Sequence, residues 1–126
     1  VGFGLHFAAS GALTHKGYGE GRSWLVWLTS DPTHLGSAAT HLQLYRSDYD
    51  TQLFPIEDLV VPESIYDRNE IQIEVQPSTG TVRVLINGQL RLEKSGLAGL
   101  AGGDYVVLRA LDKAEFESFM AEELNE

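Results

Sequence analysis

The chain has 126 residues, 43% hydrophobic and 21% charged, an ordinary composition for a single domain with a real core. Its 18 acidic residues outnumber 9 basic ones, for a formal net charge of −9, which excludes the clustered Lys and Arg of a nucleic-acid footprint and disfavours an anionic membrane surface. Cysteine is absent, which excludes a disulfide-stapled scaffold, and no apolar run approaches the roughly 20 residues of a membrane helix.

The first segment, "VGFGLHFA", alternates Phe3, Leu5 and Phe7 with Gly4, His6 and Ala8, so it is expected to be a strand with one buried face. It opens the sequence directly, and we expect a module of a larger protein. The Gly-rich polar stretch 10–23 predicts a loop or loose hairpin. "WLVWLTS" is apolar on both faces, as in a central strand covered on both sides. Trp24 and Trp27 are three apart, so they point to opposite faces. "DPTHLGSAAT", residues 31–40, is a turn-rich excursion. "HLQLYRS" sends Leu42 and Leu44 inward and His41, Gln43 and Tyr45 outward. "QLFPIEDLVV" predicts a kinked or edge strand, because proline donates nothing to a ladder.

The clearest hairpin follows. "EIQIEVQ" turns Ile71, Ile73 and Val75 inward, "PSTG" supplies a turn, and "TVRVLING" turns Val82, Val84 and Ile86 inward before an Asn-Gly turn. After a Gly-rich loop, "DYVVLRAL" and "AEFESFMAEEL" are expected to be two more strands, with Phe116 in the same core as the hairpin. Eight or nine short strands separated by turns indicate an all-β, antiparallel two-sheet sandwich.

The order "IQIEVQPSTGTVRVLINGQLRL", Gly-rich stretch, "DYVVLRALDKAEFESFMAEEL" resembles the C-terminal half of laminin-G-like, concanavalin-A-like jelly-roll domains. Val106, Leu108 and Arg109 match the penultimate strand of that superfamily, and Ala114, Glu115, Phe116 and Phe119 match its closing strand. The resemblance covers roughly residues 65–124. It implies one jelly-roll domain over residues 1–126, short enough to be compatible with an absent opening strand. The superfamily includes lectins, carbohydrate-binding modules, adhesion domains and glycoside hydrolases, so it implies an extracellular or cell-surface setting without choosing an activity.

Three kinds of site compete. Lichenase- and laminarinase-type relatives carry Glu-Ile-Asp-Ile-Glu on a central strand, and "EIQIE" places Glu70 and Glu74 at that spacing, with Gln72 in place of the Asp. Carboxyls about 5–5.5 Å apart suit a retaining hydrolase. Against this, a strand with one buried face reads polar at every second position anyway, and Gln72 and Glu74 are expected to pair across to Arg83. Metal binding is the second option. Asp48 and Asp50 in "SDYD" offer oxygen ligands to calcium, with Asp31, Asp104 and Asp112 as further loop carboxylates. The third is a sugar platform built from a flat aromatic and a polar row: Trp27, His41, Gln43, Tyr45, Gln72, Glu74 and Arg83, provided their strands are neighbours. The sequence favours this third option. It predicts a non-catalytic binding or adhesion module with a glycan or other cell-surface ligand, and the other domains of a parent protein as partners. The rivals are a hydrolase, or a relic of one, using Glu70 and Glu74, and a purely structural domain.

Overall fold

A computed structural model of the chain describes residues 2–9, 22–36, 38–48, 52–98, 100, 105–111 and 115–120. Among these are eight strands and one helical turn. The strands are β1 (Gly2–Ala9), β2 (Arg22–Thr29), β3 (Thr40–Asp48), β4 (Gln52–Val61), β5 (Ile71–Gln76), β6 (Thr81–Ile86), β7 (Gln89–Lys94) and β8 (Tyr105–Leu111). The helical turn α1 (Pro32–Leu35) lies in the turn-rich excursion. Asp31 caps it by accepting from the His34 N–H, Pro32 starts it without a donor to lose, and Gly36 ends it at φ 69°.

The strands form two sheets, ordered β4-β3-β2-β1-β8 and β5-β6-β7, and every pairing is antiparallel. β2 is the middle strand of the larger sheet, as its two apolar faces require. β4 is an edge strand, as its proline requires, and a bulge beside Pro55 leaves Ile56 without a partner on β3. Phe7, Trp24, Val26, Leu28, Leu42 and Leu44 from the larger sheet meet Val82, Val84, Ile86 and Leu92 from the smaller one in a shared core. The architecture is therefore a β-sandwich.

Two core expectations need correction. Ile71, Ile73 and Val75 face the core in register with Ile86, Val84 and Val82 but are only partly buried, because β5 is an edge strand of the smaller sheet. Phe116 is 42% exposed, and its ring meets the Phe3 ring edge-on. Nor do residues 115–120 form a strand. The reason lies in their spacing: Phe116 and Phe119 are three apart, so a period of two cannot bury both on one face.

The polar connection between β4 and β5 is fastened to its surroundings. Arg91 on β7 donates from Nε to both carboxylate oxygens of Glu63, and from Nη2 to Oε2 at 2.8 Å. Asn69 Nδ2 donates to the Ser64 and Asp67 carbonyls, and Ile65 N–H donates to Thr40 Oγ1. The connection is thereby tied to both sheets, through Thr40 on β3 and Arg91 on β7.

Candidate functional site

The outer face of the larger sheet is built in rows, because antiparallel register places residues of successive strands side by side. One row runs Gly4, Trp27, Gln43, Asp58 across β1 to β4. The next runs Gly2, Thr29, His41, Val60, and another runs His6, Leu25, Tyr45, Pro55. Trp27, His41, Gln43 and Tyr45 thus share one face, as expected.

Trp27 owes its pose to glycine. A Cβ added at Gly2 would lie 2.3 Å from Trp27 Cζ2, and one at Gly4 would lie 3.0 Å from Trp27 Cε3. The indole therefore lies across β1 in the space that two side chains would fill, and it is only half-buried. Beside it the polar groups are tied together. The Tyr45 hydroxyl donates to Gln43 Oε1 at 2.8 Å, and His41 Nδ1–H donates to Asp58 Oδ1 at 2.8 Å. Burial first, and the negative charge of Asp58 second, push the Tyr45 phenol above its ordinary value, so its proton stays on the donor. His41 Nε2 is the one buried side-chain nitrogen or oxygen without a hydrogen-bond partner among the described residues.

Burial is uneven along the face. His6, Ser23, Leu25 and Ser47 are buried, and His6 Nδ1 meets Ser23 Oγ at 3.0 Å. Toward β4 the face is accessible: the Asp58 side chain is 45% exposed, and Val60 and Pro55 are exposed. Gln43 points outward as expected but is buried within its row.

The expected single polar field does not exist. Gln72, Glu74 and Arg83 sit on β5 and β6, in the other sheet, so their outer face lies on the opposite side of the sandwich. There Gln72 Nε2 donates to Glu74 Oε1 at 3.0 Å. Glu74 stands opposite Arg83 in register, yet the Arg83 guanidinium pairs with Glu93 on β7. Glu70 precedes β5, is exposed, and its N–H donates to Asn87 Oδ1. Asp50, Asp104 and Asp112 and the side chain of Asp48 lie outside the described residues. Asp31 is occupied as the α1 cap, and hydrogen bonds from the His34 backbone and ring hold its carboxyl below its ordinary value. Among the described residues, no group of three His, Asp or Glu gathers as a metal site.

No family model, curated protein or solved structure matches this chain.

Asp58 is the site residue that sequence patterning missed. Simple alternation places Phe54, Ile56, Asp58 and Val60 on one face. The bulge shifts the phase, so that Pro55, Asp58 and Val60 face outward while Phe54 pairs with Arg46 on the inner side. The one available signal was the proline inside a strand pattern. The accessible part of the face now combines a flat indole, a phenol and a carboxylate, with the Gln43 amide buried between them. That set fits a ligand with an apolar flat side and a rim of donors and acceptors.

Proposed function

We propose that this chain is a non-catalytic glycan-binding module of the laminin-G-like, concanavalin-A-like jelly-roll class, belonging to a larger extracellular or cell-surface protein. The Trp27 indole, half-buried and lying across Gly2 and Gly4 beside the Gln43–Asp58 row, carries this proposal. A pyranose presents an apolar C–H face and a polar edge. Stacking on Trp27 would let the following residue of a sugar chain bring its hydroxyls to His41 and Asp58, with Tyr45 flanking. The all-β sandwich, its Pro-Ser-Thr-Gly and Asn-Gly hairpins and the β8 strand after a Gly-rich stretch support the jelly-roll assignment.

The test is a glycan array read with and without calcium, followed by calorimetry on the best hit. Trp27→Ala should weaken binding by about tenfold or more, and Tyr45→Ala by less, with the fold retained. Wild-type affinity in both variants would overturn the proposal. A calcium requirement would bring in Asp48 and Asp50. Glu74 lies on the opposite face, so Glu74→Gln should leave binding intact, whereas β-glucan hydrolysis abolished by that change would favour the hydrolase.

One observation favours a second role in protein contact. Leu108, Phe116, Phe119 and Met120 are exposed large apolar side chains, suited to a neighbouring domain of the parent protein.

A further inference from the structure

The charged groups of the accessible face are unevenly distributed. Among its described side chains Asp58 is the only carboxylate, and there is no lysine or arginine. His41 holds Asp58 through Oδ1, and the Asp58 side chain is 45% exposed. Two strand spacings, about 10 Å, separate Asp58 from Trp27 across Gln43. Aromatic faces attract cations as well as C–H groups, and both Trp27 and Tyr45 border this space. The row continues past Gly4 to Arg109 on β8, so the Asp58 end is the end farthest from that residue. The whole chain, at −9, adds a field of the same sign as Asp58.

We propose, on the basis of the glycan assignment above, that this face selects a cationic oligosaccharide, one ring of which stacks on Trp27 while a charged nitrogen of a following ring reaches past Gln43 to Asp58. The indole supplies the platform, and Asp58 supplies the choice between sugars that stack equally well. Gln43 remains the neutral spacer of the row, its carbonyl already taken by Tyr45.

Calorimetry on the whole chain with three trisaccharides tests this. One is a glucosamine trisaccharide with trimethylated, permanently charged amines; the second is the neutral N-acetylated trisaccharide; the third is a uronic-acid trisaccharide. At low salt the cationic probe should bind about three- to tenfold more tightly than the neutral one, with the anionic probe weakest. Asp58→Asn should bring the cationic and neutral probes within about twofold, and raising salt from about 20 to about 200 mM should erode the wild-type preference. Glu115→Gln, which removes an equal charge elsewhere, should keep the preference. A neutral or anionic probe that matches the cationic one, or a preference that survives Asp58→Asn, would overturn this inference. If a neutral probe still binds through Trp27, the glycan assignment stands without the charge selection. A blank against all three probes and the array overturns both.

Discussion

Trp27 depends on two residues that have no side chain, and the two glycines should respond differently to substitution. A Cβ at Gly4 would lie 2.0 Å from the Val26 carbonyl oxygen, which is backbone and cannot move aside. Gly4→Ala should therefore destabilise the fold by about 1–3 kcal/mol, read from the urea midpoint. At Gly2 the nearest atoms belong to the Trp27 ring, a side chain that can turn. Gly2→Ala should keep most of the stability yet lift the indole and weaken glycan binding. Unchanged binding in a folded Gly2→Ala variant would remove the indole from the site. The opposite faces of Trp24 and Trp27 were legible from a spacing of three, and so were the outward positions of His41, Gln43 and Tyr45. What alternation could not show is burial: Gln43 points outward yet is covered, because its row-mates Trp27 and Asp58 come from strands 16 and 15 positions away in sequence.

The β5–β6–β7 meander was the most legible element, because its turns need particular residues. Asn87 and Gly88 both have positive φ, at 52° and 81°, as an Asn-Gly hairpin demands. Gly80 has φ 64°, and a Cβ there would meet the Leu97 carbonyl oxygen at 2.3 Å, so glycine is required twice over. Which of these strands would lie at an edge was not legible, since that depends on the sheet and not on the strand. The consequence can be measured. Ile86→Ala, at a fully buried site, should cost about 2–5 kcal/mol, while Ile73→Ala on the edge strand should cost less than about 2. Equal costs would mean that β5 is covered. The Glu63–Arg91 pair gives a second element-scale expectation. Hydrogen bonds from Arg91 hold the Glu63 carboxyl below its ordinary value of 4.5. A lowered folded value means that the contribution is present above the unfolded value and lost as pH falls through the folded one. Thermal unfolding followed from about pH 5 downward should fall more steeply in wild type than in Glu63→Gln. Parallel curves would show that the pair is not linked to folding.

At the scale of the molecule, the sandwich has two outer faces of different character. One is a hydrogen-bonded wet face around Gln72, Glu74, Arg83 and Glu93. The other is the row-built face around Trp27. Alternation makes each strand's polar side readable, but it carries no information about which sheet a strand joins, so it cannot separate Gln72, Glu74 and Arg83 from the face around Trp27. Pairing between distant segments decides that question, and the bulge on β4 then decides whether Asp58 belongs. The central claim is that a sugar lies on Trp27, and the chain offers a direct reporter, since it has only two tryptophans and Trp24 is buried in the core. Trp24→Phe leaves Trp27 as the sole tryptophan, and acrylamide quenching, excited at the red edge where tyrosine does not absorb, reads its accessibility. With the best array glycan at saturation, Trp27 should become markedly protected from acrylamide; a quenching constant that does not change at saturation would contradict the claim.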